Sequence, residues 1–429
     1  MPNKNPAWVV TSSGKKSENM SSPTKQIAFC TIGTMLEWYD FSLFSSLAAI
    51  LSQIFFPRAN HFAAMMSVFA VFASGFIMRP IGAIFFGHLA DKLGRKSTLQ
   101  ITIFIMALTT TAIGCIPPLI NAAAFILVLC RLAQGFAVSG EYPSGVTLLA
   151  EHNNQKRKGF ISSFGIFSSV IGFVFGTLVC AITNKFLGQE SMLSWGWRIP
   201  FLLGAPIGLL GYWIRKSLLE SEEFHSVKKA GGLSTIPLVQ LVKKHRKEFV
   251  VVFTCYVLSN LAFYVNFIYF SNYTLNQHKT DVSQAMYLGA LTMFMYSMTI
   301  LLFGWLSDYV GRKRLMMIAC INLILLTYPL FHIILTGSAS TQLFAQSCLS
   351  LLIGMFVGPL AAMSAEYFPV NVRATGLGVA LSSSAAIFGS TAPLLCMELT
   401  KITGNAATSS GYIILAALFA FVAITVITE

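Results

Sequence analysis

Long apolar runs separated by short polar turns make up nearly the whole chain after its first 25 residues. Each run has about the 20 residues that an α-helix needs to cross the hydrocarbon core of a bilayer. The alternating pattern of a membrane β-barrel, with turns about every ten residues, is absent. The pattern predicts an all-α membrane protein with twelve spans, at residues 26–52, 62–87, 97–116, 121–148, 159–183, 197–214, 248–272, 284–306, 315–336, 341–364, 374–397 and 408–428.

One short charged turn occurs twice in the sequence. Gly87–Lys96 reads GHLADKLGRK, and Gly304–Lys313 reads GWLSDYVGRK, 217 residues later in a chain of 429. Each copy ends one apolar run and precedes the next. A repeat at half the chain length predicts two similar six-helix bundles that arose by duplication and fusion.

The balance of residues excludes a soluble globular protein and fixes an orientation. Only 10% of the residues are charged and 55% are hydrophobic, whereas a soluble domain carries about 25% charged residues. With a cytoplasmic N-terminus, 22 of the 29 Lys and Arg residues fall on the cytoplasmic side and four on the opposite side. This positive-inside bias predicts that both termini are cytoplasmic. The net charge of +13 therefore indicates orientation and contact with anionic lipid, not a nucleic-acid surface.

The predicted organisation has four segments: a cytoplasmic tail at 1–25, a six-helix bundle at 26–214, a cytoplasmic linker at 215–247 and a second bundle at 248–429. The eight cysteines all lie in or at the ends of apolar runs, and none forms a CxxC pair. Such cysteines behave as small buried hydrophobic residues. We therefore expect no metal site, no cofactor and no disulfide framework.

Five ionisable residues lie well inside predicted spans: Glu37 and Asp40 in the first, Arg79 in the second, and Arg131 and Glu141 in the fourth. A charge inside a membrane helix costs at least about 2.5–3.5 kcal/mol and usually marks a solute pathway or a proton relay. Three acids against two bases leave one surplus carboxylate, and burial favours its neutral form, as a reversible proton carrier requires. We rank Asp40 first for this role, Glu37 second and Glu141 third. The alternative is a static ion-pair network that fixes helix packing.

The second half carries no such cluster, but its seventh span has a polar stripe. Tyr256, Asn260 and Tyr264 recur at every fourth position, so they share one helix face. Because transporter sites lie near the midplane between repeats, this stripe is a candidate solute-binding surface. We expect it to act together with Tyr39 and the two buried arginines. Packing against neighbouring helices is the alternative for each tyrosine.

The repeated turn resembles the signature between the second and third helices of the major facilitator superfamily, here present in both halves. More of the chain resembles one branch of that superfamily, the metabolite:proton symporters, from about residue 25 to the end. The motifs that carry this resemblance are LEWYDF at Leu36–Phe41, FFP at Phe55–Pro57, RPIGA at Arg79–Ala83, RLAQGF at Arg131–Phe136, GEYPS at Gly140–Ser144 and WGWRIPF at Trp195–Phe201.

The resemblance implies twelve transmembrane helices in two pseudo-symmetric six-helix bundles. It also implies a function: proton-coupled symport of a small carboxylate-bearing metabolite by alternating access, in a monomer of the bacterial inner membrane, without enzymatic activity. The branch carries organic acids, proline and betaines. A drug:proton antiporter is the nearest alternative, although the fifth span lacks the GPxxGG pattern of those exporters. A non-transporting solute sensor on a carrier fold is the second alternative.

In that superfamily the aspartate of the turn closes the cytoplasmic side when the carrier opens outward. Carried over by position, Asp91 is expected to meet the start of the eleventh helix, and Asp308 the start of the fifth. The residues expected to form this cytoplasmic gate are Asp91, Arg95, Asp308, Arg312, Glu151, Arg157, Glu366 and Arg373.

Overall fold

The computed structural model describes residues 23–57, 60–93, 95–117, 122–140, 145–146, 149, 157–216, 237–270, 282–369 and 372–427. Within these ranges the chain is almost entirely helical and contains no strand. Nine of the described helices are long and apolar enough to cross a membrane. Large apolar side chains such as Phe104, Phe186 and Leu325 are exposed on the outside, as contact with lipid requires.

The helices follow the predicted order of spans. In the first half they are Pro23–Ser46 with Ala48–Phe55 (first span), His61–Leu93 (second), Arg95–Cys115 (third), Ala123–Val138 (fourth), Lys158–Ser191 (fifth) and Arg198–Leu202 with Gly204–Lys216 (sixth). A short helix, Pro237–Lys244, precedes the second half. There the helices are Arg246–Phe263 (seventh), Val282–Val310 (eighth), Arg312–Thr336 (ninth), Ala339–Tyr367 (tenth), Arg373–Ser384 with Ala392–Thr403 (eleventh) and Ser410–Thr425 (twelfth).

Several helix ends differ from the predicted ones by a few residues, and two of the differences affect the interior. The fifth helix continues eight residues beyond the predicted end at 183, through a kink at Gly188, whose φ of 77° lies in the left-handed region that glycine tolerates. The sixth helix continues to Lys216, so Arg215 belongs to the helix and not to the cytoplasmic linker. Hydropathy assigns a charged residue at the end of an apolar run to the adjoining loop, but Arg215 is buried.

Three π-helical segments occur among the described residues. They are Met192–Gly196, Tyr264–Tyr269 and Ala385–Gly389. The last two belong to the seventh and eleventh spans, and they touch: a Cβ built on Gly389 would lie 3.0 Å from ring atoms of Tyr264. Because π segments frequently occur at functional sites, this contact marks the region where the second half meets the site described below.

Glycines let the fifth span lie directly against the first. A Cβ on Gly172 would come within 2.4 Å of the backbone oxygen of Met35, and one on Gly176 within 2.9 Å of the backbone oxygen of Tyr39. Small residues four positions apart allow helices in membranes to pack this closely. The contact holds the first span, and thus its charged residues, at a fixed distance from the fifth.

The fifth span also contacts the eighth, across the two halves. A Cβ on Gly159 would lie 2.6 Å from the backbone oxygen of Gly304, and a Cβ on Gly304 would lie 2.6 Å from Cβ of Ser163. Gly304 opens the second copy of the repeated turn. The glycine of that turn therefore brings the two halves into backbone contact.

We expect Gly172→Ala to destabilise the protein, because the new methyl group meets a backbone oxygen that cannot turn away. Overpacking of this kind costs about 1–3 kcal/mol. Thermal unfolding in detergent measures the effect. The matched control is Gly411→Ala, where nothing lies within 4 Å of the added Cβ. Equal melting temperatures for the two variants would show that the contact with the first span is not tight.

Candidate functional site

The second and fourth spans cross at glycines that bring two arginines together. A Cβ on Gly135 would lie 1.5 Å from the backbone oxygen of Gly75, and one on Gly75 would lie 2.8 Å from the backbone oxygen of Arg131. Arg79 follows Gly75 by one helical turn, and Arg131 precedes Gly135 by one turn. The crossing therefore places both guanidinium groups in the same layer of the first half.

Among the described residues, aromatic rings and not carboxylates surround these two cations. Cζ of Arg79 lies 4.3 Å from the ring centre of Phe76 and 4.9 Å from that of Phe41. Cζ of Arg131 lies 4.5 Å from the same Phe41 ring and 4.7 Å from that of Phe44. Cation–π contacts of this kind stabilise a desolvated cation by about 2 kcal/mol, which does not offset the cost of burying two like charges.

Both guanidinium groups keep unused hydrogen-bond donors. Nε and Nη2 of Arg79 and of Arg131 are buried without a hydrogen-bond partner among the described residues. Neither arginine forms an ion pair within the part of the chain that the structure describes. Buried donors are nearly always satisfied in folded proteins, so these four donors need an acceptor that the described residues do not supply.

Asp40 lies apart from these two arginines. Its side chain is 3% exposed, and Thr110 of the third span lies near it. Its Oδ1 is buried without a hydrogen-bond partner among the described residues. No described cation lies within ion-pair distance of this carboxylate.

Glu37 has a different environment, which sequence reasoning missed. Its Oε2 lies 3.7 Å from Nη2 of Arg215, and both side chains are almost fully buried. Nη1 of Arg215 also donates to the backbone oxygen of Leu99 at 2.6 Å. The count of three buried acids against two bases is thus corrected, since Arg215 is a third base. Its pairing identifies Glu37 as part of a packing contact between the first, third and sixth spans.

A cavity of about 80 Å³ lies between the two halves, beside Arg79. This volume is enough for several water molecules. Its walls are mostly aromatic and small polar side chains: Trp38, Arg79, Ser139, Ser169 and Phe173 from the first half, and Tyr256, Ser259, Asn260, Phe263, Tyr264, Tyr296 and Ser382 from the second.

The polar stripe of the seventh span faces this cavity. Tyr256, Asn260 and Tyr264 all line it. Asn260 is held by Ser384 of the eleventh span, whose Oγ accepts from Nδ2 at 3.0 Å. The ring of Tyr264 packs edge-on against Phe76, with 5.5 Å between ring centres, so it reaches across to the helix of Arg79.

Tyr39 is not among the residues that line the cavity. Its hydroxyl donates to the backbone oxygen of Pro200 in the sixth span at 2.7 Å, and its side chain is fully buried. This geometry corrects the assignment of Tyr39 to the solute site, because successive helical residues diverge by about 100° and the neighbour, Trp38, faces the cavity instead.

Asp308 of the second turn lies at the start of the fifth helix. Its Oδ1 accepts from the backbone N–H of Gly159 at 2.8 Å, and its Oδ2 accepts from that of Phe160 at 3.0 Å. A carboxylate at a helix N-terminus satisfies otherwise unpaired donors and the positive end of the helix dipole. These two bonds join the halves on the side of the membrane that the charge bias assigns to the cytoplasm.

Arg312 extends this contact to the tenth span. Its Nη2 lies 3.3 Å from Oδ1 of Asp308, and its Nε lies 2.9 Å from Oε2 of Glu366. Nε of Arg373 donates to the backbone oxygen of Phe368 at 3.3 Å, and Arg157 is exposed. Of the other predicted gate and proton residues, Glu141 and Glu151 lie outside the described residues, as do the side chains of Asp91 and Arg95.

Comparison with known proteins decides the family. The sequence profile of the Major Facilitator Superfamily matches residues 30–393. The chain belongs to this superfamily. It is 32% identical to the proline/betaine transporter of Salmonella typhimurium over 383 residues, which cover 86% of this chain and 76% of the relative. It is 31% identical to the alpha-ketoglutarate permease of Escherichia coli over 395 residues, covering 91% and 90%.

Solved structures show the same fold. The proton:xylose symporter bound to 6-bromo-6-deoxy-D-glucose aligns with a TM-score of 0.79 at 16% sequence identity, over 95% of each chain. This superfamily member is accordingly a multi-pass membrane protein with two six-helix bundles. Its activity is solute transport and not catalysis.

The Glu37–Arg215 pair generates a stability prediction for this transporter. Glu37→Met and Arg215→Met should each destabilise it by about 3–5 kcal/mol, because each leaves one unpaired buried charge. The double variant should recover most of that loss. Thermal unfolding in detergent measures all three, with Lys401→Ala as control for an exposed pair with Glu398, which should cost under about 1 kcal/mol. Additive losses would argue against the pair.

The Asp308 contact generates a second prediction. Asp308→Asn retains one acceptor oxygen but loses the charge, so the fifth and eighth helices should separate more readily. A cysteine introduced at Ser163, which faces Gly304, should then react with a thiol reagent about tenfold faster, since charge-assisted hydrogen bonds contribute about 1.5–3 kcal/mol. Glu398→Gln, in an exposed pair, is the control. Unchanged labelling would show that Asp308 does not hold the halves together.

Proposed function

We propose that this transporter carries a small carboxylate-bearing solute by proton-coupled symport and alternating access. The observation that carries the proposal is the buried guanidinium group of Arg79 on the wall of the cavity, with that of Arg131 packed on the same Phe41 ring. Among the described residues, both groups have donors without a hydrogen-bond partner, and neither pairs with a carboxylate. Arginine presents a planar fork of donors that matches a carboxylate. A solute carboxylate bound there would supply the charge that the protein itself does not.

The relatives support the same class of solute. Their names mention proline and betaine, ectoine and pipecolic acid, and alpha-ketoglutarate, and each of these molecules bears a carboxylate. The aromatic walls of Trp38, Phe173, Phe263, Tyr264 and Tyr296 would suit the ammonium group of a betaine or an amino acid through cation–π contacts. An organic diacid would use the second arginine instead. The proposal covers organic acids, amino acids and betaines as one class.

The environment of Asp40 supports its role as the proton site. It is a buried carboxyl group with one unpaired oxygen and no described cation within ion-pair distance. Such a group can exist in both protonation states without breaking an ion pair. Glu37 is less suited, because its proton would break the contact with Arg215. Glu141 stays a candidate on sequence grounds.

The gate completes the cycle that we propose. Asp308 and Arg312 would hold the cytoplasmic ends together while the cavity faces outward, and Asp91 would act likewise at the eleventh helix. The bundles 26–214 and 248–429 would move as units. We place the protein as a monomer in the bacterial inner membrane, with both termini in the cytoplasm and its basic loops against anionic lipid.

The test is uptake into liposomes with an imposed pH gradient, using proline, glycine betaine and 2-oxoglutarate as probes. A thermal-shift screen with the same probes at two pH values selects the solute. We expect at least one probe to stabilise the protein and to be taken up when the outside is acidic. Asp40→Asn should lose gradient-driven uptake and keep counterflow exchange. Stabilisation only by lipophilic cations, or uptake that ignores the gradient, would overturn the proposal in favour of an exporter or a uniporter.

A further inference from the structure

A groove of about 590 Å³ lies on the outside of the second half, between the seventh, eleventh and twelfth helices. It shares no lining residue with the cavity beside Arg79. Four of its lining side chains are more than half exposed: Val250, Leu415, Phe419 and Val422. Apolar side chains exposed on a membrane helix face hydrocarbon, so the groove opens sideways into the bilayer and not into the solute pathway.

The lining of the groove has little to offer to water. It is apolar except for Thr254 and Tyr412, and the hydroxyl of Thr254 donates to the backbone oxygen of Val250 at 2.8 Å. A buried water needs two to four polar partners, which this lining does not provide. An unfilled groove would forfeit the dispersion contacts of its walls. A hydrocarbon chain from the surrounding bilayer satisfies both constraints.

The length of the groove matches one leaflet. Its lining runs from Val250 to Leu261 along the seventh helix and from Tyr412 to Ala423 along the twelfth. At a rise of 1.5 Å per residue, each stretch is about 16 Å long, which is about half of the roughly 30 Å hydrocarbon core. The charge bias assigns the start of the seventh helix and the end of the twelfth to the cytoplasmic side, and hence the groove to the cytoplasmic leaflet.

Basic side chains lie at the same end of the groove. Arg246 and Lys247 precede Val250 by about one turn, so they flank the helix face that lines the groove, and both are exposed. Lys243 and Lys244, at the end of the short helix before the seventh, are exposed as well. Side chains on a helix tilt towards its N-terminus, which directs Arg246 and Lys247 to the headgroup region.

The twelfth helix adds positive charge from the other side of the groove. Ile427 lies one turn beyond Ala423, and Nζ of Lys313 donates to its backbone oxygen. Within the described residues 237–250 and 422–427, Glu248 is the only acid. Its Oε1 lies 3.4 Å from Nδ1 of His245. This end of the groove is therefore complementary to an anion, whereas the rest of it is complementary to an acyl chain.

We propose that the groove binds one anionic phospholipid, with an acyl chain between the seventh and twelfth helices and its phosphate at Arg246 and Lys247. The inference gives the proposed contact with anionic lipid one defined site, and it depends on neither the solute nor the proton. Ammonium and guanidinium groups form strong charge-assisted hydrogen bonds to phosphate. A zwitterionic lipid would fill the groove equally well, but its own ammonium group would be repelled by these side chains.

The chain offers matched pairs of variants for the two parts of the site. Thr254→Trp fills the groove from the seventh helix. Leu418→Trp makes a change of similar size on the twelfth helix, at a position that is 44% exposed and does not line the groove. Lys247→Gln removes one charge at the headgroup end. Its control is Lys401→Gln, in an exposed side chain near the end of the eleventh span.

The experiment titrates lipid into the purified full-length protein in detergent and counts bound lipid by native mass spectrometry. The probes are phosphatidylglycerol, phosphatidylcholine with the same acyl chains, and glycerol 3-phosphate as a headgroup without a chain. We expect one saturable phosphatidylglycerol site in the wild type. Lys247→Gln should raise the half-saturation concentration about fivefold, the loss expected for one basic group near an anionic membrane surface. Thr254→Trp should abolish the site, and both control variants should bind as wild type.

The outcomes that overturn the inference are distinct. Equal binding of phosphatidylglycerol and phosphatidylcholine would exclude recognition of the headgroup charge. Saturable binding that survives Thr254→Trp would place the lipid elsewhere, against the basic loops alone. Equal binding of glycerol 3-phosphate would assign the site to a free phosphate. If Thr254→Trp does not fold, Val250→Trp, at a lining position that is 57% exposed, decides by the same measurement. Since no transport is measured, failure of the proposed symport leaves this result unchanged.

Discussion

Two buried guanidinium groups share one aromatic ring in the first half, and the rest of the site depends on how their charge is accommodated. Arg79 and Arg131 both lie within 5 Å of the centre of the Phe41 ring. Neither can release its proton under ordinary conditions, so the protein cannot remove the repulsion by titration. Aromatic rings surround the cations, and Nη1 of Arg131 donates a hydrogen bond to Oε1 of Gln134. The remaining buried donors have no partner among the described residues.

The two halves share a fold but divide the chemistry. The first half supplies the charges, and the second half supplies tyrosine and asparagine side chains on the seventh span. Its π-helical segments bring Tyr264 against Gly389 and towards Phe76, so that a neutral polar wall faces a cationic one. The Glu37–Arg215 ion pair and the Arg131–Gln134 hydrogen bond both lie within the first half. The side chains that face them from the second half across the cavity are neutral.

The sequence alone predicted the order of the spans, the repeated turn and the burial of Arg79, Arg131 and Asp40, because hydropathy and charge depend on residue type alone. It did not predict that Arg215 is buried, since a charged residue at the end of an apolar run gives the same sequence pattern whether its side chain turns inward or outward. Gln134, which accepts a hydrogen bond from Arg131, was missed for a related reason: a single glutamine in a span shows its partner only in the folded structure. Tyr39 and Trp38 are neighbours of similar character, and only the rotation of the first helix decides which one faces the cavity.

The glycine contact between the fifth and eighth spans has a mechanical consequence. Side chains that interlock between helices must change rotamer, or lift apart, before one helix can slide along the other. Where Gly159 meets Gly304, the two backbones lie in direct contact because neither residue has a side chain to keep them apart. Two hydrogen bonds to the carboxylate of Asp308 lie beside this contact. At this point of the interface, the charged group and the closest backbone approach therefore depend on the same few residues.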